Sequence, residues 1–221
     1  MITEFCFKMN NILNEKIFWE NVWELNHVYV SKKETKELPW EINTYDKNLE
    51  EIINLLNLKN GNILEIGCGS GHDVKFLSKK GFNVTGIDIS EKAINIAKIN
   101  NENCKNIKFI VGDIQNNLPD EKYDIIYDRG CLHNIKAMGN LGDIFKLLSN
   151  KLNYKGKMIL ITGNHNEPPS KYTKPPATTI SEIEFFSNSF FKIKLVKEII
   201  FELNKNYENS LGWLFLLEKR C

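Results

Sequence analysis

Residues 64–74 read LEIGCGSGHDV, with glycines at 67, 69 and 71 just after an apolar run that carries a single acid, Glu65. Alternating glycines let a backbone turn tightly and approach a bound group closely. Where such a turn opens a helix, the free N–H groups favour polar or anionic ligand atoms. Glu65 narrows that chemistry, because a carboxylate here repels a pyrophosphate and attracts an ammonium. The ligand is therefore expected to be zwitterionic rather than polyphosphate. A dinucleotide-binding turn needs glycine at its first, third and sixth positions. Gly67 and Gly69 fit that pattern, but the sixth position is His72. No Lys-Ser/Thr pair follows, so a phosphate-cradling P-loop is excluded as well.

Two further acids lie at intervals that suit the same ligand. Asp88 follows Gly67 by 21 residues and closes the segment NVTGID. An acid at that place accepts hydrogen bonds from vicinal ribose hydroxyls. Asp113, in VGDI, is positioned to accept from an exocyclic amine such as that of adenine. Cys68, Ile89, Gly112 and Ile114 flank these stations and are expected to line the same crevice. Proton-handling groups cluster later, in YDRGCLHNI, where Asp128, Arg129 and His133 follow an apolar run. Arg129 is read from the residues as an ion-pair partner for Glu65 or Asp128. His133 is read either as a catalytic base or as a satisfied loop histidine. Trp19, Trp23 and Trp40 are either core aromatics or a cover over a cationic ligand, since a positive charge gains by facing an aromatic ring.

These residues need a scaffold that brings distant strand ends together. From residue 62 onward, short apolar strands alternate with helical segments. Strands are expected at 62–66, 83–88, 107–113, 123–128 and 155–163, with helices at 71–81, 90–102 and 141–152. Nearly continuous apolar strands of this kind imply a parallel sheet covered on both faces. The final segments, 192–203 and 211–219, read as two strands whose short connection makes them antiparallel. A short helix precedes them, with Ser181 and Glu184 at capping-box spacing. The fold expected is α/β and doubly wound: a Rossmann-like seven-stranded sheet of five parallel strands closed by an antiparallel pair, with helices on both faces.

Upstream, residues 10–30 read as a helix with Ile17, Phe18, Val22 and Leu25 on one side. The segment KNLEEIINLLNL (47–58) carries a stripe of Leu49, Ile52, Ile53, Leu55 and Leu56. One domain over 1–221 is expected, with 1–45 as a helical cap, 46–221 as the core, and the Pro-rich loop 164–179, including His165, beside the acceptor.

Composition bounds the partners. The chain of 221 residues has a formal net charge of +1, which offers no broad phosphate groove or anionic-membrane face. Cys6, Cys68, Cys104, Cys131 and Cys221 are odd in number and lack CxxC spacing, which points to a reducing compartment rather than a disulfide framework or zinc site. No apolar run reaches membrane-spanning length, so a soluble cytoplasmic protein is expected. Neither a metal nor a nucleic-acid partner is expected, and monomer and homodimer stay open.

The stations EIGCGSG, GIDIS and VGDI occur in the order seen in class I S-adenosylmethionine-dependent methyltransferases, and residues 62–163 resemble that family. YDRGCLHNI is similar to the segment after the fourth strand in thiopurine methyltransferases and their bacterial relatives. FWENVW and LPWE are similar to their Trp-rich stretch ending near Pro-Trp. The resemblance implies S-adenosylmethionine as cofactor and S-adenosylhomocysteine as product. It implies a small-molecule acceptor, with a thiol or another soft nucleophile as the accepting class, and an Arg129 that faces the acceptor pocket. A methyltransferase acting on RNA or protein and a nicotinamide-dependent oxidoreductase are the alternative readings.

Overall fold

The computed structural model describes residues 14–24, 38–135, 141–166 and 177–220. Helix α1 covers 14–24, so the outer parts of the 10–30 helix and its Leu25 lie outside the described residues. So do most of the 31–38 stretch, the paired prolines of the 164–179 loop, Cys6 and Cys221. The elements that follow are α2 (Lys47–Leu56), β1 (Asn62–Ile66), α3 (His72–Lys79), β2 (Asn83–Asp88), α4 (Glu91–Asn100), β3 (Ile107–Val111) and β4 (Tyr123–Arg129). Next come α5 (Leu132–Ile135), α6 (Leu141–Lys151), β5 (Leu152–Asn164), β6 (Ala177–Thr178), α7 (Ile180–Ser187), β7 (Phe191–Phe201) and β8 (Ser210–Lys219).

The main sheet runs β3-β2-β1-β4-β5-β8-β7, and β6 adds a short parallel pairing to β5. This gives eight strands among the described residues where the sequence pattern predicts seven; a two-residue strand carries no readable alternation. β1 through β5 pair in parallel, while β8 pairs antiparallel with both β5 and β7. The chain starts in the middle, runs outward through β2 and β3, then returns to place β4 on the other side of β1. That reversal leaves a crevice between the carboxyl ends of β1 and β4, where open α/β sheets bind ligands. Parallel register aligns Ile66 with Ile87 and with Asp128, and Asp88 with Val111, so the strand ends share one rim.

Strand alternation sends side chains to opposite faces. Ile63, Ile125, Tyr127, Ile159 and Ile161 meet α2, α3 and α4 on one face. Leu64, Ile66, Ile126, Met158 and Leu160 meet α5, α6 and α7 on the other. Local signals set the helix ends. Ser90 caps α4 by accepting from Ala93 N, and Asp46 caps α2 by accepting from Asn48 N. The capping box of α7 is Thr179 with Glu182, two residues earlier than the Ser181–Glu184 pair. Both pairs have the required spacing, and the pairing of β6 against β5 fixes where the chain leaves extended structure. Two stripe positions also differ from expectation: Leu55 is 66% exposed and Ile17 is 50% exposed, while Leu49, Ile52, Ile53 and Val22 are buried.

Candidate active site

The glycine turn follows β1 directly. Gly67, Gly69 and Gly71 all adopt positive φ, at 63°, 50° and 76°. Gly67 is confined by space as well as by φ. A Cβ added there would sit 2.6 Å from the Cβ of Cys131 and 2.9 Å from its Sγ. The backbone after β1 therefore touches the turn after β4, at the point where the strand order reverses. Cys68 N donates to Ile87 O at 3.1 Å, and Gly69 N donates to Asp88 Oδ2 at 3.0 Å. These bonds tie the turn to the end of β2.

A cavity of about 210 Å³ opens above this rim. Glu65, Gly67, Cys68, Gly69, Asp88, Ile89, Gly112, Asp113 and Ile114 all line it. Trp19, Trp23 and Trp40 line its outer side, with the rings of Trp19 and Trp40 edge to face at 5.8 Å. Arg129 at the end of β4 and His133 of α5 reach the cavity, together with Phe201 at the end of β7 and Leu203 just beyond it. Asp128 is absent from the lining. It is fully buried, accepting from Cys131 N at 2.8 Å and from Leu132 N at 3.2 and 3.3 Å. Its geometry is that of an acid that shapes the β4 turn from beneath.

The acids differ in their partners. Glu65 Oε2 is buried and accepts no hydrogen bond among the described residues. Burial, reinforced by the nearby charge of Asp73, pushes its carboxyl well above the usual carboxylate range. An orphaned buried oxygen costs free energy unless a ligand donor meets it. Asp88 accepts from Ser90 N at 2.9 Å as well as from Gly69 N, and burial still raises it to about 6. Each carboxylate oxygen has a second lone pair, which leaves acceptor capacity for a ribose. Asp113 accepts from Gln115 N at 2.9 Å and from Asn116 Nδ2 at 2.6 Å.

Arg129 pairs with neither Glu65 nor Asp128. Its Nε donates to Asp46 Oδ2 at 2.7 Å, its Nη1 to Trp40 O at 3.3 Å and its Nη2 to Glu202 O at 2.6 Å. The guanidinium also lies 4.8 Å from the centroid of the Phe201 ring. Burial works against its charge, but Asp46 and Asp73 outweigh that and hold its pKa above the ordinary value. Its donors thus anchor the Pro39-Trp40 turn from below. Asn204 anchors the same turn from the side, donating through N to Pro39 O and through Nδ2 to Glu41 O, each at 2.7 Å. Trp40 is accordingly a fixed lip.

His133 is buried, and its Nδ1 accepts from Gly163 N at 3.4 Å. Thr162 Oγ1 lies 3.3 Å from the same nitrogen. A backbone N–H aimed at Nδ1 assigns the neutral ring's proton to Nε2, which makes His133 a hydrogen-bond donor in this tautomer.

Several cavity residues escape a reading of the sequence alone. Glu41 lines the wall, accepts a short hydrogen bond from the Ser70 hydroxyl, and is raised above the usual carboxylate range by burial. Glu15 of α1 also lines it and is raised by burial and then by Asp113. Asp73, raised to about 6 by burial, accepts from Asp46 N at 2.7 Å and from the Tyr127 hydroxyl at 3.1 Å. Each is brought in by a contact far along the chain. Among the described residues no group of three or more His, Cys, Asp and Glu side chains is arranged to hold a metal ion. No described helix is long and apolar enough to cross a membrane.

Comparison with known proteins agrees with this geometry. The family described as "Methyltransferase domain" matches residues 57–206. The chain is 29% identical over 170 residues to malonyl-[acyl-carrier protein] O-methyltransferase 1 of Ilyobacter polytropus, covering 71% of this chain and 61% of that protein. It is 29% identical over 113 residues to the probable thiol methyltransferase 2 of Arabidopsis thaliana, covering 50% of this chain and 46% of that protein. The chain thus spans roughly half of the length of these relatives. A solved structure concerned with conversion of a disulfide bond into a thioacetal group during echinomycin biosynthesis superposes with a TM-score of 0.77 at 17% identity, covering 92% of each chain.

Proposed function

Because the chain belongs to the methyltransferase-domain family, we propose that it moves a methyl group from S-adenosylmethionine to a small molecule, with a thiol or similar soft nucleophile as the acceptor. The observation that carries this reading is Glu65 Oε2, buried beside the cavity without a donor among the described residues. A ligand ammonium supplies that donor, whereas a pyrophosphate would meet a repelling acid. Asp88 then faces the ribose, Asp113 and Ile114 the adenine, and the Trp19–Trp40 wall the cationic sulfur.

When bound, the donor supplies a methyl carbon on a positively charged sulfur, already activated for in-line displacement. The protein's tasks are orientation and exclusion of water, which together are worth several kcal/mol. Arg129 and Asn204 hold Trp40 in place, and Phe201 and Leu203 make the acceptor side apolar. Bases are scarce at that side. His133 presents Nε2–H as a donor, and both oxygens of Asp128 accept from the α5 amides beneath the cavity. The Glu41 carboxyl lies against the Gly69–Ser70 turn, away from Phe201 and Leu203. A thiol needs little help from a base, which favours it over a hydroxyl or an amine.

Calorimetry with S-adenosylmethionine and S-adenosylhomocysteine tests the donor. A panel of thiol, selenium, halide and phenol acceptors then tests the class. Heat with both nucleosides, and turnover led by thiols, is the expected result; no heat with either nucleoside removes the reading.

A further inference from the structure

We propose that Glu20 is the positioning residue that seats the tryptophan wall of α1 over the donor site. It acts by capping helix α4, and the inference rests on the donor reading given above. The first amides of any α-helix lack intrahelical partners. In α4 two of these are answered from 71 and 72 positions upstream: Glu91 N donates to Glu20 Oε1 at 2.6 Å and Lys92 N to Glu20 Oε2 at 3.3 Å. Ser90 Oγ donates to Glu20 Oε2 at 3.1 Å while accepting from Ala93 N at 3.2 Å. A carboxylate in that place also meets the positive end of the helix dipole. Glu24, one turn further along α1, adds an exposed pair with Lys92 at 2.6 Å, which contributes little by itself.

Two consequences follow from where Glu20 lies. Trp19 precedes it and Trp23 follows it by three residues, and both line the cavity. Trp23 sits 3.3 Å from where a Cβ on Gly69 would be. Fixing Glu20 therefore fixes the register of both rings above the glycine turn. Second, Asp88 accepts from the backbone N–H of Ser90, the residue whose hydroxyl Glu20 accepts. The acid assigned to the ribose and the acid that docks the cap thus hold two atoms of one residue. Donor affinity is then multiplied by the fraction of molecules whose cap is docked.

Tryptophan emission during titration with S-adenosylhomocysteine tests this, together with steady-state kinetics in the donor. Wild type, Glu20→Ala, Glu20→Gln and Glu24→Gln are compared, each with a thermal melt. The expected result is an emission change in wild type and Glu24→Gln. Glu20→Ala should raise donor Kd and KM by about tenfold, the size of a lost helix cap, with kcat at saturating donor within about twofold. Glu20→Gln keeps one acceptor oxygen and should recover part of the loss. A Glu20→Ala protein that binds donor like wild type overturns the inference alone. Equal losses in kcat and KM alongside a lowered melting temperature in both Glu20 variants also overturn it, since that is general unfolding. No response in wild type overturns this inference and the donor reading together.

Discussion

Arg129 and Asp46 form an ion pair at 2.7 Å with side chains 9% and 0% exposed, bridging the end of β4 to the start of α2. Asp46 is also the α2 cap, and its backbone N–H donates to Asp73. The pair therefore locks three elements beneath the Pro39-Trp40 turn.

Replacing Arg129 by Met would leave Asp46 buried and uncompensated. Loss of one partner of such a pair is expected to cost about 3–5 kcal/mol. Arg129→Lys should rescue little, because a single ammonium cannot also reach Trp40 O and Glu202 O. Urea denaturation of both variants checks this, and a loss under about 1 kcal/mol would refute the role assigned to the pair.

Asp128 sets a pH dependence of unusual sign. Burial raises its carboxyl to about 7, against the hydrogen bonds from Cys131 and Leu132 that favour its charge. An unfolded Asp titrates near about 3.9. Between those values the native state holds a proton that the unfolded state has released, so stability falls as pH rises. This contribution is complete below about pH 4 and gone above about pH 7, with a slope of at most about 1.4 kcal/mol per pH unit. Asp73 and Asp88, each raised to about 6, act in the same direction over a narrower window. Asp128→Asn keeps an acceptor for the α5 amides and removes the titration. Urea melts at several pH values should show a flatter profile for that variant than for wild type.

Gly67 tolerates no side chain. Its φ of 63° and the 2.6 Å approach to Cys131 Cβ act together. Gly67→Ala is expected to destabilise by about 1–3 kcal/mol and to weaken donor binding more than tenfold, because the turn must shift into the cavity. Thermal melts and calorimetry measure the two effects; unchanged donor affinity would show that this turn does not contact the donor.

Asp88 and His133 should separate by kinetics. Asp88→Ala is expected to remove measurable donor binding, since it frees Gly69 N and Ser90 N and deletes the acid proposed to meet the ribose. His133→Gln keeps a side-chain N–H donor and should leave donor affinity within about twofold, with a fall in kcat of no more than about threefold that is the same for thiol and hydroxyl acceptors. Matching losses of donor affinity in the two variants would refute this division of roles.

Much of the rim was legible because its signals are local. Glycines after an apolar strand, Asp88 at the next strand end and Ser90 as a cap each declare themselves within a few residues. The antiparallel ending was legible from a connection too short for a helical crossover. What stayed hidden depends on contacts made only after folding. Glu20 meets α4 across 71 residues, Arg129 meets Asp46 across 83 and Asn204 meets Glu41 across 163. Nothing in the spacing of Arg129 favours Asp46 over Asp128, and α2 packing makes that choice. The α7 capping box slipped by two because both Thr179–Glu182 and Ser181–Glu184 satisfy the pattern. β6 was missed because two residues are too few to show a period.

The interior place of β8 has a bearing on biosynthesis. β7 is translated before β8 yet touches β5 in the ladder only through it. A ribosome-bound chain that still lacks residues 210–219 has no docking edge for β7, and hence no Asn204 to clasp the Pro39–Glu41 turn. The Asn204 clasp on the mouth of the cavity is therefore expected to form only after residues 210–219 have paired with β5.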